Sequence, residues 1–211
     1  MRENYITVGA TGNAEILIQK SRFIGHVARA ETEEQAIEFI NSIKHLHKTA
    51  THNCSAYLIG EHDSIQKAND DGEPSGTAGF PMLEVLKKQG LKDTVVVVTR
   101  YYGGIKLGSG GLIRAYGKSV SAALSAVGIV ERKLHHLMKT SIDYVWLGKL
   151  ENEIRQSAYP LDHLEYTEGV DLYIYVPVEQ EQAFKEWINE LTNGQGRVSI
   201  QKSEFLEFEV L

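Results

Sequence analysis

The sequence is short of several things, and each shortage excludes something. Its 211 residues contain one cysteine, Cys54, so no internal disulfide can form, and a lone thiol fits a reducing cytosol. No apolar run approaches the roughly 20 residues that a membrane-spanning helix requires. The N-terminus, MRENYITVGATGN, has no apolar core of the kind that directs export, so a cytoplasmic location without membrane attachment is expected. There is no excess of positive charge: 22 Lys+Arg stand against 28 Asp+Glu, a net charge of −6. Global charge therefore does not advertise nucleic-acid binding. Neither GxxxxGK[ST] nor GxGxxG occurs, which removes the P-loop and dinucleotide fingerprints.

What is present is ordinary for a soluble globular chain, with 42% hydrophobic and 24% charged residues. The charge is divided unevenly. Residues 1–130 carry a net of +1 and residues 131–211 a net of −7. Only the first part could offer a local basic patch.

The stretch from Thr94 to Val127 organises the rest. Val95 to Val98 is an uninterrupted β-branched run and suits a strand buried on both faces. A glycine-dense turn follows, with Gly103, Gly104, Gly108, Gly110 and Gly111. Leu112, Ile113, Tyr116, Val120, Ala123, Leu124 and Val127 then recur at helical spacing. Strand, glycine loop and helix start in that order aim backbone N–H groups at an anion. Arg100, Lys106, Arg114 and Lys118 add positive charge, and Ser109 is placed to cap the helix. Gly110 and Gly111 would cost about 1 kcal/mol each in its first turn, which implies close approach to a ligand or to another element. The same turn also serves packing alone.

Before this stretch, alternation predicts strands at Ile6–Val8 and Ala14–Ile18 around a Thr11-Gly12-Asn13 turn, and a third at Phe23–Ala28. Thr32-Glu33-Glu34-Gln35 reads as a capping box. It opens a helix to about Lys48 with Ala36, Ile37, Phe39, Ile40, Ile43 and Leu46 inward. Cys54–Ile59 and Ser64–Ala68 read as paired strands. A polar, acidic loop from Asn69 to Gly79 leads to a helix with Pro81 at its first position, ended by Gly90.

A break near Gly128–Lys133 separates a second pattern: a strand over about Leu134–Tyr144, a helix with Leu147, Leu150 and Ile154 inward, strands near Leu161–Tyr166 and Val170–Val176, a helix with Ala183, Phe184, Trp187, Ile188 and Leu191 inward, and a strand over Val198–Phe208. That is βαββαβ, the split ferredoxin-like order.

Three residue groups raise chemical alternatives. Asp70, Asp71 and Glu73 could hold Mg²⁺, clamp a shared ligand with the basic loop, or serve turn and helix-cap chemistry. His52 and Cys54 share a strand face and could form a nucleophilic pair, although a small buried cysteine is the commoner role. Tyr101 and Tyr102 could stack bases or fill a core edge. His45 and His47 lie two apart in a helix and point to different sides, which argues against a metal pair. No metal site, cofactor or catalytic residue is assigned.

The segments DDGEPSGTAGFPMLEVL (70–86) and VVVVTRYYGGIKLGSGGLIRAYGKSV (95–120), with Lys20-Ser21-Arg22-Phe23-Ile24 and His52–Tyr57, closely resemble the signature of the IMPACT family in its short bacterial form. The resemblance covers essentially the whole chain. It implies an α+β protein: a domain over residues 1–130 similar to domain 2 of ribosomal protein S5, then a ferredoxin-like domain over 131–211 similar to the C-terminal domains of elongation factor G. Eukaryotic members regulate translation through an additional N-terminal RWD domain, which this chain is expected to lack. Leu107–Gly111 also resembles the phosphate loop of small-molecule kinases that share the S5-like fold.

Together these readings favour a non-enzymatic protein linked to translation that binds RNA, the ribosome or a protein partner. Its expected surface is Lys20, Arg22, Arg100, Tyr101, Gly103, Gly104, Lys106, Gly108, Ser109, Gly110, Gly111, Arg114 and Lys118. The alternatives are a phosphate-ligand hydrolase or phosphotransferase using Asp70, Asp71 or Glu73 with Mg²⁺, and a protein-interaction module whose turns are structural.

Overall fold

A computed structural model describes residues 4–210. The chain divides into two compact units, one of Tyr5–Glu131 with the residues from Glu207 onward, the other of Arg132–Leu206. The architecture is mixed α+β with antiparallel sheets.

The first unit runs β1 (Asn4–Val8), β2 (Gly12–Ile18), β3 (Ser21–Arg29), α1 (Glu33–Leu46), β4 (His52–Ile59), β5 (Ile65–Asn69), α2 (Gly79–Lys88), β6 (Thr94–Tyr101) and α3 (Gly108–Val127). Its antiparallel sheet has the order β2-β3-β6-β4-β5. The valine run is the central strand, β6, and Val95 to Val98 are buried. Helices on both sides explain this. Val95 packs with Ala36 of α1 in one apolar cluster. Val96 and Val98 pack with Met82, Leu86, Leu112, Tyr116 and Val120 of α2 and α3 in the other. Burial on both faces thus arises in an antiparallel sheet because three helices cover it.

Several local expectations are corrected. Gly12 and Asn13 open β2 rather than forming a turn, and β2 pairs with β3. Thr32 does cap α1, accepting from the Gln35 amide, but the Gln35 side chain returns to the amide of Glu31 instead of Thr32. That helix ends at Leu46, not Lys48. Ile37 and Leu46 are exposed, because the covered face is centred on Ala36 and Ile43. Pro81 is the third residue of α2, within the first turn, where a missing N–H is still tolerated. Gly90, at φ +69°, follows the helix as expected.

Gly128, at φ +75°, ends α3, and β7 (Ile129–Ile142) begins at once, several residues earlier than the periodicity suggests. The second unit continues with α4 (Leu147–Gln156), β8 (Leu161–Tyr166), β9 (Val170–Pro177), α5 (Glu181–Leu191) and β10 (Arg197–Glu209). Its own strands pair as β8 with β9, β9 with β7, and β7 also with β10. Met138, Leu150, Ile154, Leu172, Ile174, Phe184 and Ile188 form its core. Ala183, expected inward, is exposed. Among the described residues, no helix is long and apolar enough to cross a membrane.

Candidate functional site

The site grows from the end of β6. Pairing places Arg100 opposite Phe23 of β3 and His52 of β4, on the sheet face that α2 and α3 cover. Tyr101 and Arg22 are paired one position further on, and alternation sends both to the opposite face. There the Arg22 guanidinium lies 5.2 Å from the Tyr101 ring and pairs with Glu15 at 2.9 Å. The Tyr101 hydroxyl is 2.9 Å from His47 Nδ1, and the His47 ring lies 5.0 Å from that of His26.

The glycine loop follows. A Cβ on Gly103 would lie 2.1 Å from the backbone of Lys20, and the Gly103 amide donates to Ser21 Oγ at 3.1 Å. The close approach here is therefore to the β2–β3 turn. Gly104 and Gly108 have φ of +86° and +69°, which turn the chain into α3. The helix starts at Gly108, so Ser109 lies inside its first turn. The residue before it, Leu107, supplies no side-chain cap, and the expected Ser109 cap is not formed.

The acidic loop closes the other side, and every carboxylate in it is engaged. Asp70 accepts from the amides of Gly76, Ala78 and Gly79 at 2.8–3.0 Å, which caps α2. Burial works against its charge, but these three amides hold its pKa below the ordinary range. Asp71 pairs with Lys44 of α1 at 2.8 Å and accepts from the Asn53 amide at 2.7 Å. Glu73 is buried, and its Oε1 accepts from Arg100 Nη1 at 2.6 Å and from the Tyr116 hydroxyl at 2.8 Å. His52 donates from Nδ1 to the Asp71 carbonyl at 2.8 Å, which turns Nε2 toward Glu73 Oε2 at 3.8 Å.

His52 and Cys54 do not form a nucleophilic pair. The Cys54 thiol donates to the Asp70 carbonyl at 2.9 Å, with the Tyr116 oxygen 3.4 Å away. Burial, joined by the Glu73, Asp71 and Asp70 carboxylates and opposed by the Tyr116 hydrogen bond, pushes this thiol up to about 12. A thiol so placed is a core group. Burial also raises the Tyr116 hydroxyl far above its ordinary value, so it acts as a neutral donor.

Between the two loops lies a cavity of about 490 Å³. Thr51, His52, Glu73, Arg100, Tyr102 and Lys106 supply its polar wall, and Gly108, Ser109 and Leu112 bring in the start of α3. Of the expected surface, Arg100, Lys106, Gly108 and Ser109 meet here. Lys20, Arg22, Tyr101, Gly103, Gly104, Gly110, Gly111, Arg114 and Lys118 do not line it. Arg114 and Lys118 are exposed on another side of α3. Sequence reasoning missed Tyr116, which read as core because its helical spacing says nothing about its hydroxyl.

Comparison with known proteins follows the same division. A family model described as the Impact N-terminal domain matches residues 19–124, and one described as a domain of unknown function, DUF1949, matches 140–195. The chain is 60% identical over 207 residues to "IMPACT family member YvyE" of Bacillus subtilis (strain 168), covering 98% of this chain and 95% of that protein. It is 35% identical over 179 residues to "IMPACT family member YigZ" of Escherichia coli (strain K12), covering 84% and 88%. "Protein IMPACT" of Xenopus laevis is 40% identical over 95 residues, 43% of this chain and 30% of that protein. A crystal structure of "an hypothetical protein" matches 96% of this chain and 99% of that chain with a TM-score of 0.61 and 30% identity.

Proposed function

The chain belongs to the IMPACT family, and from that premise we propose that it serves translation control as a cytosolic, non-enzymatic protein that binds RNA at the cavity between the glycine loop and the acidic loop. The observation that carries this reading is the composition of that cavity. An uncapped helix start, Lys106, Arg100 and the half-exposed ring of Tyr102 line one space. Helix-start amides and a lysine hold phosphate oxygens, and an aromatic ring offers a base a stacking surface. Translation regulation is the role that the family resemblance implies, and the ribosome is one place where such RNA is met.

The same reading takes residues 1–130 as an S5 domain 2-like domain and 131–211 as a ferredoxin-like domain. The βαββαβ order, with β8 paired to β9, β9 to β7 and β7 to β10, supports the second assignment. A Mg²⁺-dependent phosphoryl-transfer reading has less support, since amides, Lys44, Arg100 and Tyr116 already engage the three loop carboxylates.

The test is fluorescence anisotropy with a short single-stranded RNA labelled at one end. Lys106→Ala should weaken binding several-fold, in keeping with the loss of one charge-assisted contact. Unchanged affinity in that variant, or no binding by the native chain, would overturn the proposal.

A further inference from the structure

Resting on that reading of the cavity, we propose that it takes one phosphate monoester, that of a terminal nucleotide, and not a length of RNA backbone.

Charge is the first argument. Proteins that track a nucleic-acid backbone line its path with a row of cations. Here, among the described residues, Arg100 and Lys106 are the only Lys or Arg side chains in the lining, and Glu73 stands among them. Arg22 is paired with Glu15 on the other sheet face, and Arg114 and Lys118 lie outside the cavity. Two cations less one carboxylate leave one positive charge, to which the start of α3 adds about half a unit. That sum approaches the charge of a phosphate monoester near neutrality, about −1.5 to −2. It has nothing left for a second phosphate.

The donors are the second. Arg100 is 5% exposed and lines the cavity, yet its Nε–H has no acceptor among the described residues. Buried donors in proteins are almost always paired, and the guanidinium that carries this one lines the cavity. The first-turn amides of α3 lack partners within the helix, and no side chain of the N-cap residue covers them.

The third is the place for the base. Tyr102 is 45% exposed. Arg100 Cζ lies 5.4 Å from its ring and 5.3 Å from that of Phe23, so the arginine backs the tyrosine from within. Thr51 fixes the same residue by accepting from the Tyr102 amide at 3.0 Å. A base can then stack on a ring already held. The volume, about 490 Å³, lies in the range of small-ligand pockets.

The experiment compares four ligands on the full native chain: one RNA 12-mer sequence carrying a terminal phosphate, the same with hydroxyl ends, the same circularised, and a nucleoside monophosphate as competitor. The phosphorylated oligonucleotide should bind about tenfold tighter than the hydroxyl-ended and circular forms, the difference expected of a charge-assisted contact. The monophosphate should displace it, and Tyr102→Leu should weaken it with the melting temperature held. Equal affinity for all three oligonucleotides would overturn end recognition and leave the RNA reading standing. Binding of the monophosphate alone would uphold the single-phosphate site and remove RNA as its source. No binding in any arm would overturn both.

Discussion

Glu73 Oε1 and Arg100 Nη1 lie 2.6 Å apart in the interior of the first unit, and the same oxygen accepts from Tyr116 at 2.8 Å. This joins the acidic loop to the end of β6 and to the middle of α3. Taking one partner from a buried pair leaves the other charge uncompensated, which costs about 3–5 kcal/mol. Glu73→Gln is expected to lose that order of stability, measured by urea unfolding. Tyr116→Phe should lose about 1 kcal/mol, the value of one hydrogen bond. Equal, small losses in both variants would mean that the pair is not formed in solution.

The glycines of the loop should respond in opposite directions. Gly103→Ala puts a methyl 2.1 Å from the Lys20 backbone and should destabilise by about 1–3 kcal/mol or more. Gly110 lies inside α3, and a Cβ there would have Arg114 Nη1 as its nearest neighbour, at 3.7 Å. Gly110→Ala should stabilise by about 1 kcal/mol. Thermal unfolding of the two variants side by side checks the contrast.

Acid should weaken the fold in two stages. His26 is buried, and burial, with His47 beside it, lowers its pKa from 6.5 to about 4. The unfolded chain gains a proton between those values that the folded chain refuses. Stability is therefore complete above pH 6.5 and declines as the pH falls to about 4, by roughly 2–4 kcal/mol. Asp70 acts below that. Its depressed pKa contributes stability above the unfolded value of 3.8, lost as the pH falls through the folded one. His26→Leu should shrink the upper stage in unfolding curves taken from pH 7 to pH 4, leaving the part that His47, also lowered by burial, contributes.

The cations inside and outside the cavity should separate cleanly. Arg22→Ala and Lys118→Ala are expected to leave RNA affinity within about twofold, the ordinary effect of an exposed charge. Lys106→Ala should reduce it several-fold. Anisotropy on the three variants at one salt concentration decides this, and parity among them would remove the cavity from consideration.

Much of the fold was legible because it rests on periodicity. The valine run, the Thr32 cap and the βαββαβ order are local patterns with one physical meaning. The site was legible in part. A strand, a glycine loop and a helix in sequence do bring Arg100, Lys106 and Ser109 together. What the chain could not show was pleat parity: Arg100 and Tyr101 are neighbours in sequence but opposite in space. Nor does spacing reveal that Gly103 is small for the sake of Lys20, 83 residues earlier in the chain, or that the Tyr116 hydroxyl has a carboxylate to meet.

The acidic loop reads as flexible, being polar and rich in glycine. Yet its side chains and amides are fastened to α1, β4, β6, α2 and α3 through Lys44, Asn53, Arg100, the Gly79 amide and Tyr116. An opening of this segment would break ties to five elements at once. Its amides at Gly76, Ala78 and Gly79 should accordingly exchange hydrogen with solvent as slowly as those of the central strand, making an irregular segment one of the last parts of the first unit to open.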